Sequence, residues 1–138
     1  MTQRVLFLCT HNSARSQMGE GLLRALGQEQ FEASSAGTEA TVVRPLAIEA
    51  MAELGIDISG QFSKTLDRYV QEAFDEVITV CDAAAETCPF FPHARHRRRW
   101  SLPDPSQATG SHEEQLAVYR QVRDALRKHI EEEVLAAR

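Results

Sequence analysis

Two residues near the start of the chain, Cys9 and Arg15, could together bind and attack a tetrahedral oxyanion. A cysteine thiolate is a nucleophile, and a guanidinium can hold such an anion through two parallel hydrogen bonds. The polar stretch between them could aim backbone N–H groups at the anion, and a helix that begins near Arg15 would add the positive end of its dipole. The same field favours the thiolate over the thiol. We therefore expect an oxyanion-binding loop of Thr10, His11, Asn12, Ser13, Ala14, Arg15 and Ser16.

The segments on either side of this loop indicate how it is positioned. Val5–Leu8 is an apolar run that leads into Cys9 and is typical of a parallel strand buried on both faces. Apolar residues after the loop recur at the spacing of one buried helix face. Ligands of an open parallel sheet bind beyond the carboxyl ends of its strands, which is where Cys9 would lie. The alternative is that Cys9 is only a small buried residue and Arg15 a surface residue, because this spacing also occurs by chance.

Cys81 and Cys88 are the other two cysteines of the chain. Cys81 ends a β-branched run, Glu76–Cys81, that predicts a strand, and Cys88 follows seven residues later. Their spacing is not a usual zinc pattern and no histidine pair completes one, so we expect no metal. In a reducing compartment such cysteines either take part in thiol chemistry or pack as small buried residues.

The bulk properties indicate a single domain, residues 1–138, with 43% hydrophobic and 25% charged residues. The net charge of -5 argues against general nucleic-acid affinity. The basic run His93–Arg99 is an exception, which we interpret as a solvated edge strand or a rim of positive potential. No apolar run approaches the ~20 residues that span a bilayer, and the N-terminus lacks a secretory pattern, so we expect a cytoplasmic protein.

Strands and helices are predicted to alternate along the chain. We expect strands at about residues 4–9, 31–36, 76–81 and 95–102. Helices should begin near Arg15 and Pro45, and the last helix should begin at a capping box of Ser111 and Glu114. A turn or two of helix is expected at 82–88. The alternation predicts an open parallel sheet with helices on both faces.

The loop and several later motifs resemble the thioredoxin-coupled arsenate reductases, which share a fold with the low-molecular-weight protein tyrosine phosphatases. The resemblance covers nearly the whole chain and implies a flavodoxin-like sheet of four parallel strands in the order 2-1-3-4. In that order the strand that leads to Cys81 lies beside the strand that ends in Cys9. The resemblance is carried by Val5–Ser16, Ser34–Thr38, Leu54–Ser59, Val77–Cys88, Trp100 and Asp104–Pro105.

The resemblance also implies a reaction, the reduction of arsenate to arsenite in arsenic detoxification. Cys9 would attack arsenate, Asp104 would assist as general acid, and Cys81 would attack Cys9 as arsenite departs. Cys88 would then attack Cys81, and thioredoxin would reduce the resulting Cys81–Cys88 disulfide. No bound cofactor, nucleic acid or membrane is expected, and the expected state is a monomer.

The implied disulfide places a requirement on the segment between its cysteines. In a helix, Cys81 and Cys88 would be separated by a rise of about 10.5 Å. A disulfide tolerates Cα separations only up to about 7 Å. We hypothesise that residues 82–88 unwind on oxidation and carry the disulfide outward to the reductant.

The sequence departs from the family at a potassium site. Some members bind potassium near the loop with an asparagine, a serine, a threonine and an aspartate. Asn12 and Ser35 match the first two, whereas Phe62 and Lys64 occupy the other two positions. A lysine repels a cation and can neutralise the site itself, so we expect no potassium dependence.

Two other functions remain open at this point. One is a low-molecular-weight phosphatase that acts on phosphomonoesters through a Cys9 phosphocysteine. A phosphatase does not need Cys81 and Cys88, and Ser106 stands where the phosphatases place a tyrosine after Asp-Pro. The other is an idle module that binds an oxyanion or arsenite without turnover, against which the presence of Arg15 and Asp104 argues.

Overall fold

The described residues form one parallel sheet whose strand order brings the predicted site together. The computed structural model describes residues 2–82 and 91–136. Its strands are β1 (Gln3–Cys9), β2 (Phe31–Gly37), β3 (Phe74–Thr79) and β4 (Ala94–Arg99). Their order in the sheet is β2-β1-β3-β4, and each neighbouring pair is parallel. This confirms the predicted sheet and places β1 between β2 and β3, with Cys9 at the carboxyl end of β1.

Three α-helices are present among the described residues, and each begins where the sequence predicts. The capping box is confirmed: the Ser111 hydroxyl accepts a hydrogen bond from the Glu114 N–H, and the Glu114 carboxylate accepts one from the Ser111 N–H, both at 3.1 Å. None of these helices is long and apolar enough to cross a membrane. The helices are α1 (Arg15–Gly27), α2 (Pro45–Ala52) and α3 (His112–His129), and α3 continues into a π-helical turn, Ile130–Leu135.

Alternate residues of β1 are buried on opposite faces of the sheet. Val5 and Phe7 join the larger hydrophobic cluster, to which α1, α2 and α3 all contribute. Leu6 and Leu8 join a smaller cluster that includes Phe91. Successive side chains of a strand point to opposite faces, so a strand covered on both sides must be apolar throughout. β1 is therefore a rigid support for Cys9.

Helix α1 lies close to the sheet because Gly19 faces Phe7. A Cβ atom at Gly19 would come within 2.8 Å of the Phe7 ring. Glycine costs about 1 kcal/mol in a helix relative to alanine. At Gly19 this cost is offset by the close packing of α1 on the sheet. The same packing holds the start of α1 near the end of β1.

Two strand boundaries differ from the sequence prediction. β3 covers Phe74–Thr79 and not 76–81, because Phe74 is buried and pairs with Ala94 of β4. Cys81 consequently lies two residues beyond the strand and not at its last position. β4 ends at Arg99, short of the predicted 102. Of the helix predicted at 82–88, all but residue 82 lies outside the described residues.

Candidate active site

Cys9 is buried at the carboxyl end of β1, with two polar groups against its sulfur. The Ser16 Oγ atom lies 2.8 Å from Cys9 Sγ. The backbone N–H of Asn12 donates to the same sulfur at 3.2 Å. Hydrogen bonds donated to a thiolate favour the charged form that acts as the nucleophile. Ser16, at the end of the predicted loop, therefore contacts the Cys9 sulfur directly.

Asn12 directs the hydroxyl of Ser16 toward that sulfur. Its backbone has a φ of 48°, in the left-handed region that asparagine tolerates. Its side-chain Nδ2 donates to Ser16 Oγ at 2.7 Å. Because the serine oxygen accepts that bond, its own proton is free to point at Cys9 Sγ. The Oδ1 of Asn12 accepts from the backbone N–H of Lys64 at 2.9 Å, which ties the loop to a distant segment.

Gln17 is a functional residue that the sequence reasoning missed. It is fully buried, and its Nε2 donates to the backbone oxygen of Asn12 at 3.1 Å and to its Oδ1 at 2.9 Å. The same Nε2 donates to the carbonyl of Phe62 at 3.0 Å. Gln17 thereby holds Asn12 in its left-handed conformation. A polar residue directly after the loop, on a helix whose first turn faces the sheet, was the available signal.

The carbonyl groups of the loop point away from the site, toward the segment after β2. The Thr10 carbonyl accepts from the Thr38 hydroxyl and the Glu39 N–H, both at 3.0 Å. The His11 carbonyl accepts from the Thr41 hydroxyl at 3.1 Å. These two carbonyls are therefore engaged by the segment after β2, while the Asn12 N–H donates to the Cys9 sulfur.

Gly37, at the end of β2, lets the loop approach the sheet. A Cβ atom there would lie 2.7 Å from the Thr10 oxygen, 2.8 Å from the Cys9 oxygen and 2.9 Å from the Asn12 nitrogen. All three are backbone atoms, which cannot rotate away as a side chain can. Any residue larger than glycine must therefore displace the loop.

Arg15 and Asp104 lie close together on the other side of Cys9. The buried guanidinium of Arg15 donates to the Leu102 carbonyl at 3.1 Å and lies 3.8 Å from Asp104 Oδ2. Asp104 Oδ1 accepts from both the N–H and the hydroxyl of Ser106, at 2.9 and 2.7 Å. Because Oδ1 is engaged by Ser106, Oδ2 is the oxygen that faces Arg15.

Trp100 anchors the segment that carries Leu102 and Asp104. Its ring is buried and stacks on His129 with 4.7 Å between ring centroids. Its Nε1 donates to Glu133 at 3.1 Å. A short hydrogen bond from His129, followed by the bond from Trp100, lowers the pKa of Glu133. The position of Asp104 thus depends on the end of the last helix as well as on the sheet.

Cys81 lies near Cys9, although no strand pairing includes it. The N–H of Val80 donates to the Leu8 carbonyl at 2.8 Å, so each cysteine directly follows one member of a hydrogen-bonded pair. Cys81 is fully buried and is disulfide-bonded, whereas Cys9 is a free thiol. Cys88 lies outside the described residues. The neighbouring strand ends therefore bring together two of the three predicted cysteines.

The Lys64 ammonium lies close to the buried carboxylate of Glu20. Lys64 Nζ donates to the Phe62 carbonyl at 3.0 Å and lies 3.7 Å from Glu20 Oε1. Glu20 also accepts from the Ser35 hydroxyl at 2.6 Å. Burial lowers the pKa of Lys64, while the Glu20 carboxylate opposes that change. Within residues 2–82 and 91–136, no group of three or more histidine, cysteine or acidic side chains could hold a metal ion.

The fold and the loop define a class: an α/β protein that holds an oxyanion against a nucleophilic cysteine at the end of its central strand. The family model for low molecular weight phosphotyrosine protein phosphatases matches residues 4–137. An arsenate reductase of Halalkalibacterium halodurans is 45% identical over 94% of each chain. One of Bacillus subtilis is 41% identical over 93% of this chain and 92% of its own length.

Solved structures of arsenate reductases are also similar to this chain. An arsenate reductase in oxidized state has a TM-score of 0.83 at 32% identity, covering 99% of this chain and all of that one. An arsenate reductase in the phosphate binding state has a TM-score of 0.81 at 35% identity, covering 94% and 95%. A thioredoxin-dependent arsenate reductase of Corynebacterium glutamicum scores 0.69 at 29% identity, covering 98% of this chain and 63% of that one. The chain therefore belongs to the low molecular weight phosphotyrosine protein phosphatase family and, within it, to the arsenate reductases.

Proposed function

We propose that this chain reduces arsenate to arsenite by a three-cysteine thiol–disulfide relay, in the service of arsenic detoxification. The observation that carries the proposal is the hydrogen bond between Val80 and Leu8, which sets Cys81 beside the nucleophile Cys9. A second thiol at this point can resolve an adduct on Cys9 by sulfur attack, where a phosphatase would use water. The family membership supports the same reaction.

In the first step, the Cys9 thiolate attacks arsenate held by the loop N–H groups and by Arg15. A hydroxyl group leaves arsenic as the new sulfur–arsenic bond forms. Asp104 donates the proton that turns this group into water, because its Oδ2 lies on the Arg15 side of the site. The Ser16 hydroxyl and the Asn12 N–H lie 2.8 and 3.2 Å from the attacking sulfur, Cys9 Sγ.

In the second step, the Cys81 thiolate attacks Cys9 Sγ. The electron pair of the sulfur–arsenic bond stays on arsenic, which leaves as arsenite, reduced by two electrons. A Cys9–Cys81 disulfide remains. Cys88 then attacks Cys81, which releases Cys9 as a thiolate and moves the disulfide to Cys81 and Cys88. The free Cys9 and disulfide-bonded Cys81 of this structure have the redox states that the last step leaves.

We further propose that a thioredoxin returns the disulfide to the thiol state, since one structural relative is thioredoxin-dependent. The cycle requires Cys9, Cys81 and Cys88 to start as thiols, and the reducing cytoplasm maintains that state. We also propose that the chain acts as a monomer. We propose in addition that activity does not depend on potassium, because the Lys64 ammonium, 3.7 Å from Glu20 Oε1, already supplies a positive charge there.

A phosphatase activity of the same loop is the second candidate, because phosphate and arsenate share shape and charge. A related arsenate reductase has been solved in a phosphate binding state. The Ser106 hydroxyl is bonded to Asp104, however, and Ser106 offers no aromatic ring to a phosphotyrosine. Hydrolysis of a phosphomonoester would use Cys9, Arg15 and Asp104 but not Cys81.

The Cys81→Ser variant separates these two functions. We expect it to lose arsenite formation with thioredoxin as reductant, because the adduct on Cys9 has no sulfur to resolve it. Any hydrolysis of p-nitrophenyl phosphate should persist at the wild-type rate, which serves as the control for an intact loop. Cys9→Ser should lose both activities. Undiminished arsenite formation by Cys81→Ser would refute the relay.

A further inference from the structure

Strand β4 concentrates positive charge at the edge of the sheet. Its six residues, Ala94–Arg99, include four arginines, in a chain whose net charge is -5. Among the described residues β4 pairs only with β3, so its outer edge faces solvent. Charged residues on an edge strand commonly prevent edge-to-edge association. That role needs only one or two charges and leaves the number and placement of these arginines unexplained.

The four arginines differ in their partners. Arg98 is paired with two carboxylates, a short contact to Glu76 and one of 3.5 Å to Glu133. No carboxylate in the described part of the chain pairs with Arg95 or Arg99, and both side chains are exposed. Two exposed guanidinium charges are therefore left without neutralisation within the described protein.

Arg97 shares a face of the sheet with these two residues. Side chains alternate along a strand, so Arg95, Arg97 and Arg99 project on the same side. Arg97 donates to the carbonyls of Phe91 and Pro92, at 3.2 and 2.8 Å. The three arginines form a stripe along one face of the edge strand, which we term the arginine stripe.

The arginine stripe ends next to the disulfide-bonded Cys81. Arg99 pairs in register with Thr79, two residues before Cys81. The N–H of Trp100 donates to the Thr79 carbonyl at 2.9 Å, and that of Leu102 lies 3.4 Å from the Cys81 carbonyl. Residues 83–90, between Cys81 and β4 in the chain, lie outside the described residues. A protein that reached the Cys81 disulfide from this edge would meet the arginine stripe.

We propose that Arg95, Arg97 and Arg99 form the docking surface for an acidic face of the thioredoxin-class protein that reduces the Cys81 disulfide. This rests on the proposed function. When the thioredoxin-class protein reduces the Cys81 disulfide, its own two thiols become a disulfide and the chain's disulfide becomes two thiols. Two electrons and two protons are therefore transferred. Complementary charge raises the rate of encounter between proteins and has little effect on a small neutral reductant.

The test compares two reductants on charge-neutralised variants. The double variant Arg95→Gln, Arg99→Gln removes the unpaired charges and leaves the Arg97 contacts to Phe91 and Pro92 intact. The matched control, Arg127→Gln with Lys128→Gln, removes the same charge from exposed positions on α3. Reduction of the oxidised protein is followed at low salt with a thioredoxin of net negative charge and with dithiothreitol.

We expect the stripe variant to lose about five- to tenfold in its second-order rate constant with thioredoxin. Its rate with dithiothreitol should stay unchanged, and the control variant should match wild type with both reductants. The difference should vanish near 1 M salt, where the screening length is about 3 Å. Equal losses with both reductants, equal losses in the control variant, or no loss would each overturn the proposal.

Two further readouts separate the remaining outcomes. Arsenate-dependent thiol loss in the absence of any reductant does not involve docking. If the wild-type protein showed no such loss, the proposed function itself would be refuted, together with the docking surface that rests on it. Retention of that thiol loss with an unaltered thioredoxin rate would refute the docking surface only. Binding of a DNA duplex that is lost in the stripe variant, with thioredoxin reduction unchanged, would assign the stripe to nucleic acid and overturn the proposal.

Discussion

The contact between Gly37 and the oxyanion loop yields the sharpest single prediction. A Cβ atom at Gly37 would sit 2.7 to 2.9 Å from backbone atoms of Thr10, Cys9 and Asn12. Ordinary van der Waals contact begins near 3.4 Å, so relief of the 2.7 Å contact requires a shift of about 0.7 Å. In the Gly37→Ala variant, that shift must move the loop that holds both the nucleophile and the anion cradle.

Two magnitudes follow for Gly37→Ala. Overpacking of this kind lowers the free energy of unfolding by about 1–3 kcal/mol, which a domain of this size tolerates. A misplacement of 1 Å in a catalytic group can cost about 100-fold in rate. We therefore expect the rate of arsenate-dependent thiol loss to fall by roughly 30- to 100-fold while the protein stays folded.

Gly60→Ala is the matched control, because a Cβ atom at Gly60 would meet nothing within 4 Å. The assay is the single-turnover loss of thiols after arsenate is mixed with reduced protein, with urea denaturation as the measure of stability. Gly60→Ala should behave as wild type in both. Wild-type kinetics in Gly37→Ala would show that the loop does not depend on this close approach and would refute the reasoning.

Three other predictions concern the acid, the ion site and a surface ion pair. Asp104→Asn should slow the first thiol loss by about 10²- to 10⁴-fold, because arsenate then lacks its general acid; a loss under threefold would remove Asp104 from that role. Arsenite formation should be equal in potassium and sodium at matched ionic strength, since Lys64 already supplies the positive charge; a several-fold gain with potassium would contradict this. Hydrogen bonds from Arg120 and then Arg123 lower the pKa of Glu53 from 4.5 to about 2. The folded-state pKa lies below the unfolded value, so this stabilisation is present above about pH 4.5 and is lost as the pH falls toward 2. The urea midpoint of Glu53→Gln should depend less on pH in that window than that of wild type.

The sheet and the loop could be predicted because local patterns determine them. The apolar run through Leu8, Pro45 at the start of α2 and the capping box at Ser111 each act over a few residues. The family resemblance then supplied the strand order, and the structure confirms it. Sequence patterns are most informative where every level of structure favours the same result, as at the junction of β1 and α1.

The contacts around Asn12 could not be predicted, because they depend on packing between segments far apart in the chain. The roles of Gln17 and Gly37 and the pairing of Lys64 with Glu20 follow only from the approach of the segments after β2 to the loop. The end of β3 was misplaced because β-branched residues continue to Cys81, whereas pairing with β4 begins at Phe74. The roles of Cys88 and the hypothesis that its segment unwinds remain predictions.

The relay is tested most directly by counting thiols. Fully reduced protein is incubated with arsenate and no reductant, the thiols lost are titrated, and the disulfide is mapped by mass. We expect the loss of two thiols per chain, the release of one arsenite, and a disulfide between Cys81 and Cys88 with Cys9 free. No arsenate-dependent loss of thiols, or a product in which Cys9 alone is modified, would contradict it.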